Sequence, residues 1–238
     1  MAKRTDDRPR HVQIAAHLRS RILSGDYEPG TKLPSTPKLM EWFDAASVTV
    51  QRAISMLKAE GFATSRAGAG VYVRNRQPFV VDVANYYAPS PGGYKYELLE
   101  VDEVAPPADV AQVFGLAEGE TAILRKRVMR YDGEPVEMSW SYYPPDLARG
   151  TALAEHGKVR GGAPRVLADL GYPQRYFDDE VSVRAPETDE VVLLDLPSDV
   201  PVIRQLRVIY SDNERPVEAS VLIKGGHLYA LRYRQQIH

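Results

Sequence analysis

Ser47, Thr49, Gln51 and Arg52 put four hydrogen-bonding side chains within six positions of a chain of 238 residues. On a helix lying in a DNA major groove such a set has defined uses. A glutamine amide pairs with adenine in a bidentate way, and a threonine reaches a phosphate or a thymine methyl. Ser35 and Lys38 stand where another helix begins, and free N–H groups beside a cation suit a phosphate there. Arg66, Gly68 and Gly70 frame a tight turn whose glycines let backbone approach a groove closely. The same side chains occur on any solvated helix face, so their meaning depends on the elements that carry them.

Other chemistries find little support. The five histidines, His11, His17, His156, His227 and His238, are scattered, and cysteine is absent, which excludes disulfides, thiolate metal sites and a cysteine nucleophile. No Ser-His-Asp order or phosphate-binding loop occurs, and Gly68-Ala69-Gly70 lacks the third glycine and the following helix of a dinucleotide site. No catalytic residue, cofactor or metal is expected. Residues 1–10 lack the apolar stretch of a secretory leader, and no apolar run is long enough for a membrane span, so a cytoplasmic protein is expected.

Charge is divided unevenly. Residues 1–77 hold thirteen basic against seven acidic side chains; the remainder holds seventeen against twenty-five. A basic head on an acidic body fits a polyanionic partner for the head. Lys3, Arg4, Arg8 and Arg10 form a basic N-terminal arm.

Periodicity supplies the elements. Ile14, Leu18 and Ile22 mark a helix over residues 11–24, stopped by Gly25. Ser35 is placed to cap a short helix over 36–43 that turns Leu39, Trp42 and Phe43 inward, with Pro37 in its first turn. Ser47 is placed to cap a third helix, over 48–60, burying Val50, Ile54 and Leu57 and stopping at Gly61. Two strands, 62–66 and 71–74, flank the glycine turn. Three helices and a hairpin make a winged helix-turn-helix.

Residues 78–93 read as a linker that contains Pro89-Ser90-Pro91-Gly92-Gly93, although 79–83 is also strand-like. Strands are expected at 94–104, 120–130, 135–143, 175–184, 200–210 and 216–223, with helices at 108–114, 164–170 and 187–194. Asp132-Gly133 is a hairpin turn. The hairpins make the sheet mainly antiparallel and the fold class α+β. Residues 108–143 and 188–223 echo each other, each carrying Pro-Val-Glu after its turn, at Pro135-Val136-Glu137 and Pro216-Val217-Glu218, which suggests an internal duplication.

The N-terminal run resembles the GntR family of bacterial regulators through Pro29-Gly30, Leu33-Pro34-Ser35, Leu39, Phe43, Thr49-Val50, Ala53, Leu57, Glu60-Gly61, Gly68 and Gly70. The rest resembles the UTRA effector-binding domain of its HutC branch through Leu116, Gly119, Arg127, Asp132-Gly133, Pro135, Gly171, Leu194 and Pro216-Val217-Glu218. The resemblance implies a DNA-binding domain at 1–77, a linker at 78–93, and an effector-binding and dimerisation domain at 94–238. It also implies a homodimer on a palindromic double-stranded operator, and repression relieved by a small molecule. Departures are specific. Thr36-Pro37 replaces a Glu-Arg pair, and Ser47 and Gln51 stand where arginines are common. In the second domain Met129 replaces the second of two phosphate-holding arginines, Ser139 an acidic residue, and Gly161, Gly162 and Ala163 a Ser-x-Tyr patch. These argue against a sugar phosphate. Arg127, Ser139, Trp140, Tyr142, Arg165, Glu180 and Tyr229 are the candidate effector residues, the aromatic ones lining a less polar cavity. A ligand-independent repressor and an enzyme of the chorismate-lyase kind, whose fold the UTRA domain resembles, stay open as alternatives.

Overall fold

The structure, a computed structural model, describes residues 6–74, 79–82, 94–197, 200–227 and 229–234. The chain forms two compact units, Met1–Pro78 and Phe79–His238. Among the described residues no helix is long and apolar enough to cross a membrane.

The first unit has helices α1 (Arg10–Leu23), α2 (Thr36–Phe43) and α3 (Ser47–Ala59), then strands β1 (Ala63–Arg66) and β2 (Gly70–Val73) paired antiparallel. Ile14, Ala15 and Leu18 of α1 meet Leu39 of α2 and Val50, Ala53, Ile54 and Leu57 of α3 in one core, closed by Leu33, Phe62 and Val73. Each fully buried leucine or isoleucine there contributes about 2 kcal/mol. A two-pronged ion pair from Arg19 to the buried Glu60, at 2.6 and 2.7 Å, ties α1 to the end of α3. Three expectations need correction. Ser47 is the first residue of α3, and Ala46 holds the extended N-cap position. Ser35 does occupy the N-cap of α2, but its side chain makes no capping hydrogen bond. Trp42 is 47% exposed rather than inward; Phe43 packs on the core from a half-buried position.

The second unit holds a six-stranded sheet in the order β4-β5-β6-β9-β8-β7, antiparallel at every pairing. Its strands are β4 (Tyr94–Val104), β5 (Ala122–Tyr131), β6 (Glu134–Tyr143), β7 (Tyr176–Arg184), β8 (Val202–Tyr210) and β9 (Pro216–Gly225). Helix α4 (Ala108–Phe114) connects β4 to β5 and α7 (Thr188–Leu193) connects β7 to β8, so each half runs β-α-β-β and the halves meet at β6 and β9. This symmetry matches the echo in the sequence. The first hairpin turn uses Asp132 and Gly133, both at positive φ.

Alternation gives the sheet two different faces. Leu124, Val128, Met138, Tyr142, Val202, Leu206, Val208, Ala219, Val221 and Ile223 form one core with Val110 of α4 and with Leu194 and Leu196 just after α7. The opposite face is covered at one end by α5 (Pro145–Ala148) and α6 (Gly162–Asp169), where Ile123, Tyr143, Leu147, Leu167 and Ile209 pack together. Three elements were not anticipated: α5, a single turn; a 3-10 turn over Asp212–Glu214; and β10 (Tyr229–Arg232), four residues long. β10 pairs in parallel with β3 (Phe79–Asp82), so the strand-like start of the expected linker is strand within the second unit; residues 83–93 lie outside the described residues.

Candidate nucleic-acid interface and polar sheet face

Helix α3 buries Val50, Ala53, Ile54 and Leu57, so its outward face is set by the helical period and carries Ser47, Val48, Gln51, Arg52 and Ser55. Gln51 is exposed, its amide 3.4 Å from Ser47 Oγ, a loose contact that leaves the amide able to turn toward a partner. Arg52 is exposed and in no ion pair among the described residues. Thr49 sits half-buried at the flank of this face. Val48 (57% exposed) and Ser55 sit nearer the middle and were missed. The period opposite Val50 and Leu57 was the signal that marks them.

Around this helix, Ser35 and Lys38 are exposed at the start of α2, with Lys38 Nζ 4.9 Å above the Trp42 ring. In the hairpin Arg66 lies over Tyr72, its Cζ 4.2 Å from the ring centroid. Gly68 and Gly70 both have positive φ, and a Cβ on Gly70 would meet the Lys32 side chain at 2.8 Å. The basic arm is partly used up by folding. Arg8 pairs with Asp6, and Arg10 donates to the Phe43 carbonyl at the end of α2 at 2.6 Å. Lys3 and Arg4 lie outside the described residues.

In the second unit a polar chain crosses the sheet face opposite α4 and α7. Arg127 Nη2 donates to Ser141 Oγ at 2.5 Å, Ser141 is 2.7 Å from Ser220, and Ser220 donates to Glu218 Oε1 at 2.8 Å. Ser139 lies 3.5 Å from Ser141. Both ends of the chain are charged, yet Ser139, Ser141, Ser220 and Glu218 are all buried. Burial pushes the neighbouring Tyr143 phenol well above its ordinary range, and Glu218 adds to the effect. Next along the same face, Lys224 Nζ donates to Gln205 Oε1 at 2.9 Å and pairs with Glu137 at 3.2 Å. Tyr229 donates its hydroxyl to Glu137 at 3.0 Å. Burial pushes the Lys224 ammonium down, and Glu137 opposes that shift.

The expected effector residues do not all share this face. Arg127, Ser139 and Tyr229 share the polar face. Trp140 and Tyr142 do not: they alternate with Ser139 and Ser141 along β6, and both pack with the α4–α7 core. The Tyr142 phenol is pushed up to about 12 by that burial. Glu180 is exposed on β7, one residue from Asp179 and so on the other side of the strand. Arg165 is an exposed residue of α6 paired with Asp169 at 2.9 Å. The face that Arg127, Ser139 and Tyr229 share is therefore polar and charged, while the expected aromatic residues Trp140 and Tyr142 lie in the opposite core. Sequence reasoning missed Ser141, Ser220, Glu218, Glu137, Gln205 and Lys224. Their signal was a run of polar residues at alternate positions, broken at Leu222, on strands too central to be solvated.

Two family models match the chain: bacterial regulatory proteins of the gntR family over residues 10–73, and the UTRA domain over residues 92–229. The chain is a GntR-family regulator with a UTRA domain. The regulator is 28% identical to an uncharacterised helix-turn-helix-type transcriptional regulator of Streptomyces coelicolor, the alignment covering 94% of this chain and 92% of the relative. It is 27% identical to the helix-turn-helix-type transcriptional regulator GgaR of Escherichia coli, over 91% of this chain and 87% of that one. Among solved structures, PhnF from Mycobacterium smegmatis matches with a TM-score of 0.58 at 20% identity, covering 94% of this chain and all of that one, and shows the fold. The regulator thus joins a DNA-binding head, whose outward helix face is α3, to a UTRA body with a polar sheet face.

Proposed function

We propose that this regulator is a repressor of the HutC branch that binds a palindromic operator as a homodimer, and that a small polar molecule lacking a phosphate ester, bound on the Arg127 face, lowers its affinity for DNA. The observation that carries the reading is the buried chain Arg127–Ser141–Ser220–Glu218. Burying such groups costs free energy unless they are hydrogen-bonded, and a sheet needing only a core would place apolar residues there, as the opposite face does. A face of alternating donors and a carboxylate suits a ligand with hydroxyl or amine groups. A phosphate dianion fits it poorly. Met129 is buried in place of a second guanidinium, Arg125 is engaged by backbone carbonyls, and Glu218 would repel the charge.

On the DNA side, Gln51 and Arg52 read base edges from α3, with Ser47 and Thr49 at the flank and Val48 against a thymine methyl. Ser35 and Lys38 hold phosphate, and Arg66 with the Gly68–Gly70 turn follows the minor groove. Repression is supported by a relative named as a probable fructoselysine utilization operon transcriptional repressor, 24% identical over 91% of this chain. Coupling requires that the ligand bind one arrangement of the protein better than another. β3 directly follows the head in the chain and is held by β10, whose Tyr229 is bonded to Glu137 on the ligand face.

The test selects sites from a random DNA library at fixed salt, then asks which of a panel of sugars, amino sugars and their phosphates releases the selected site and raises the thermal midpoint. Release by an unphosphorylated compound supports the reading. Release by phosphates alone, or recovery of no palindrome, would refute it.

A further inference from the structure

We propose that β7 is the seam between two copies of this chain, paired antiparallel to its own counterpart about a two-fold axis at Val181. The inference rests on the homodimer reading above and names its interface.

Each edge of the six-stranded sheet exposes unpaired backbone groups, a template for another strand unless it is blunted. The β4 edge is blunted: its register with β5 breaks between Leu98 and Glu100, and it carries Glu97, Glu100, Asp102 and Glu103. The β7 edge is not. Its register with β8 runs unbroken from Tyr176 to Arg184, and β8 is its only partner among the described residues. Val181 and Val183, alternate residues and so on one side of β7, are 45% and 66% exposed. Tyr233, 54% exposed, joins that side through its contact with Asp179. A regular edge with apolar residues is what a protein buries when it has a partner for it.

Charge and the length of overlap together select the register. With Val181 opposite itself, Asp178 of one copy faces Arg184 of the other, Glu180 faces Ser182, and Asp179 faces Val183. Asp178 is in no ion pair among the described residues, whereas Arg184 is already held by Glu190 of its own chain at 2.6 and 2.8 Å, so the contact adds a second carboxylate beside an engaged guanidinium. Moving the axis to Glu180 or Asp179 sets like charges face to face, which is unfavourable directly across strands. Moving it to Ser182 shortens the overlap within the strand. Two-fold symmetry requires one surface to complement itself, and β7 does so in this register.

The absence of cysteine makes the test direct. Opposed residues of paired strands lie within disulfide reach, whereas residues four positions out of register do not. Oxidised full-length Val181→Cys should therefore run as a covalent dimer on a non-reducing gel, while Val183→Cys, which faces Asp179, should stay uncrosslinked. Val181→Lys should convert the sedimenting dimer to a folded monomer. A wild-type dimer whose Val181→Cys form fails to crosslink, or that crosslinks through Val183→Cys instead, overturns the seam and leaves the homodimer standing. A wild-type chain that sediments as a monomer, free and on operator DNA, overturns both.

Discussion

Arg127 and Arg207 occupy equivalent positions in the two halves of one sheet. Each stands five residues ahead of the aspartate of its hairpin, Asp132 or Asp212, and each faces a serine of the inner strand, Ser139 or Ser220. They differ on the outer side. Arg207 meets Asp179 of β7 in a two-pronged pair at 2.7 and 2.6 Å, with Phe177 4.0 Å from its Cζ, whereas Arg127 is aligned with Leu98 of β4. One half of the duplicated sheet has turned this position into a structural clamp. In the other half the arginine heads a chain of serine hydroxyls.

The clamp makes the first prediction. Both side chains of the Arg207–Asp179 pair are almost wholly buried, and removing one partner of such a pair costs about 3–5 kcal/mol by leaving a charge uncompensated. Asp179→Asn should lower stability by that order in urea unfolding. Replacing both, as Arg207→Met with Asp179→Leu, should recover most of the loss. Equal destabilisation by the single and the double variant would show that the pair is not the clamp.

The clamp also shows what could be read in advance and what could not. Alternation places Arg127, Ser139 and Ser141 on one side of their strands without any structure, and the same rule excludes Trp140 and Tyr142 from it. Their aromatic type suggests a place beside Arg127 in a ligand pocket, and the period of two overrides it. The head was more legible: buried residues repeating at helical spacing fix α1 and α3, and glycines at positive φ end them. Trp42 misled because a large aromatic residue in a short helix suggests burial, while Lys38 covers its exposed ring instead. The pairings of Arg207 with Asp179 and of Glu137 with Lys224 and Tyr229 join residues 28 to 92 positions apart, and no local pattern encodes them.

Arg125 should prove structural although it stands two residues from Arg127. Its guanidinium donates to the carbonyls of Ala152, Leu153, Glu155 and Gly157, at 3.2, 3.0, 2.8 and 2.6 Å, and so holds that loop against β5. Burial pushes its pKa down, the cost of placing a cation there. Arg125→Met should destabilise the protein by roughly 3 kcal/mol, since charge-assisted hydrogen bonds are lost and carbonyls are left unpaired. It should also speed tryptic cleavage after Lys158, which is exposed but lies in the loop that Arg125 holds in place. Unchanged tryptic cleavage at Lys158 would count against this role.

Acid titration offers a local probe of the same region. Arg149, with Thr121, holds the Glu103 carboxyl down from 4.5 to about 2. A carboxylate lowered in the folded state stabilises above its unfolded pKa, and that contribution disappears as pH falls from about 4.5 toward 2. Carboxyl NMR of Arg149→Ala should show Glu103 titrating higher, part of the way back toward 4.5, since Thr121 still holds it down. The group is exposed, so the thermal midpoint at neutral pH should hardly change. A Glu103 titration unmoved by the substitution would separate it from Arg149.

The two kinds of DNA contact should separate by salt. Gln51 and Thr49 lie where base edges are reached, so Gln51→Ala or Thr49→Ala should cost about 1–3 kcal/mol on the selected site and little on unrelated DNA. Val48→Ala should relax preference at a single thymine. Lys38, beside the start of α2, carries a charge rather than a reading group. Lys38→Ala should weaken specific and unrelated DNA alike and flatten the slope of log affinity against log salt by about 1. The ratio of specific to unrelated affinity decides between the two roles. If Gln51→Ala leaves that ratio intact and Lys38→Ala lowers it, α3 is not the reading helix, and the start of α2 carries the sequence preference.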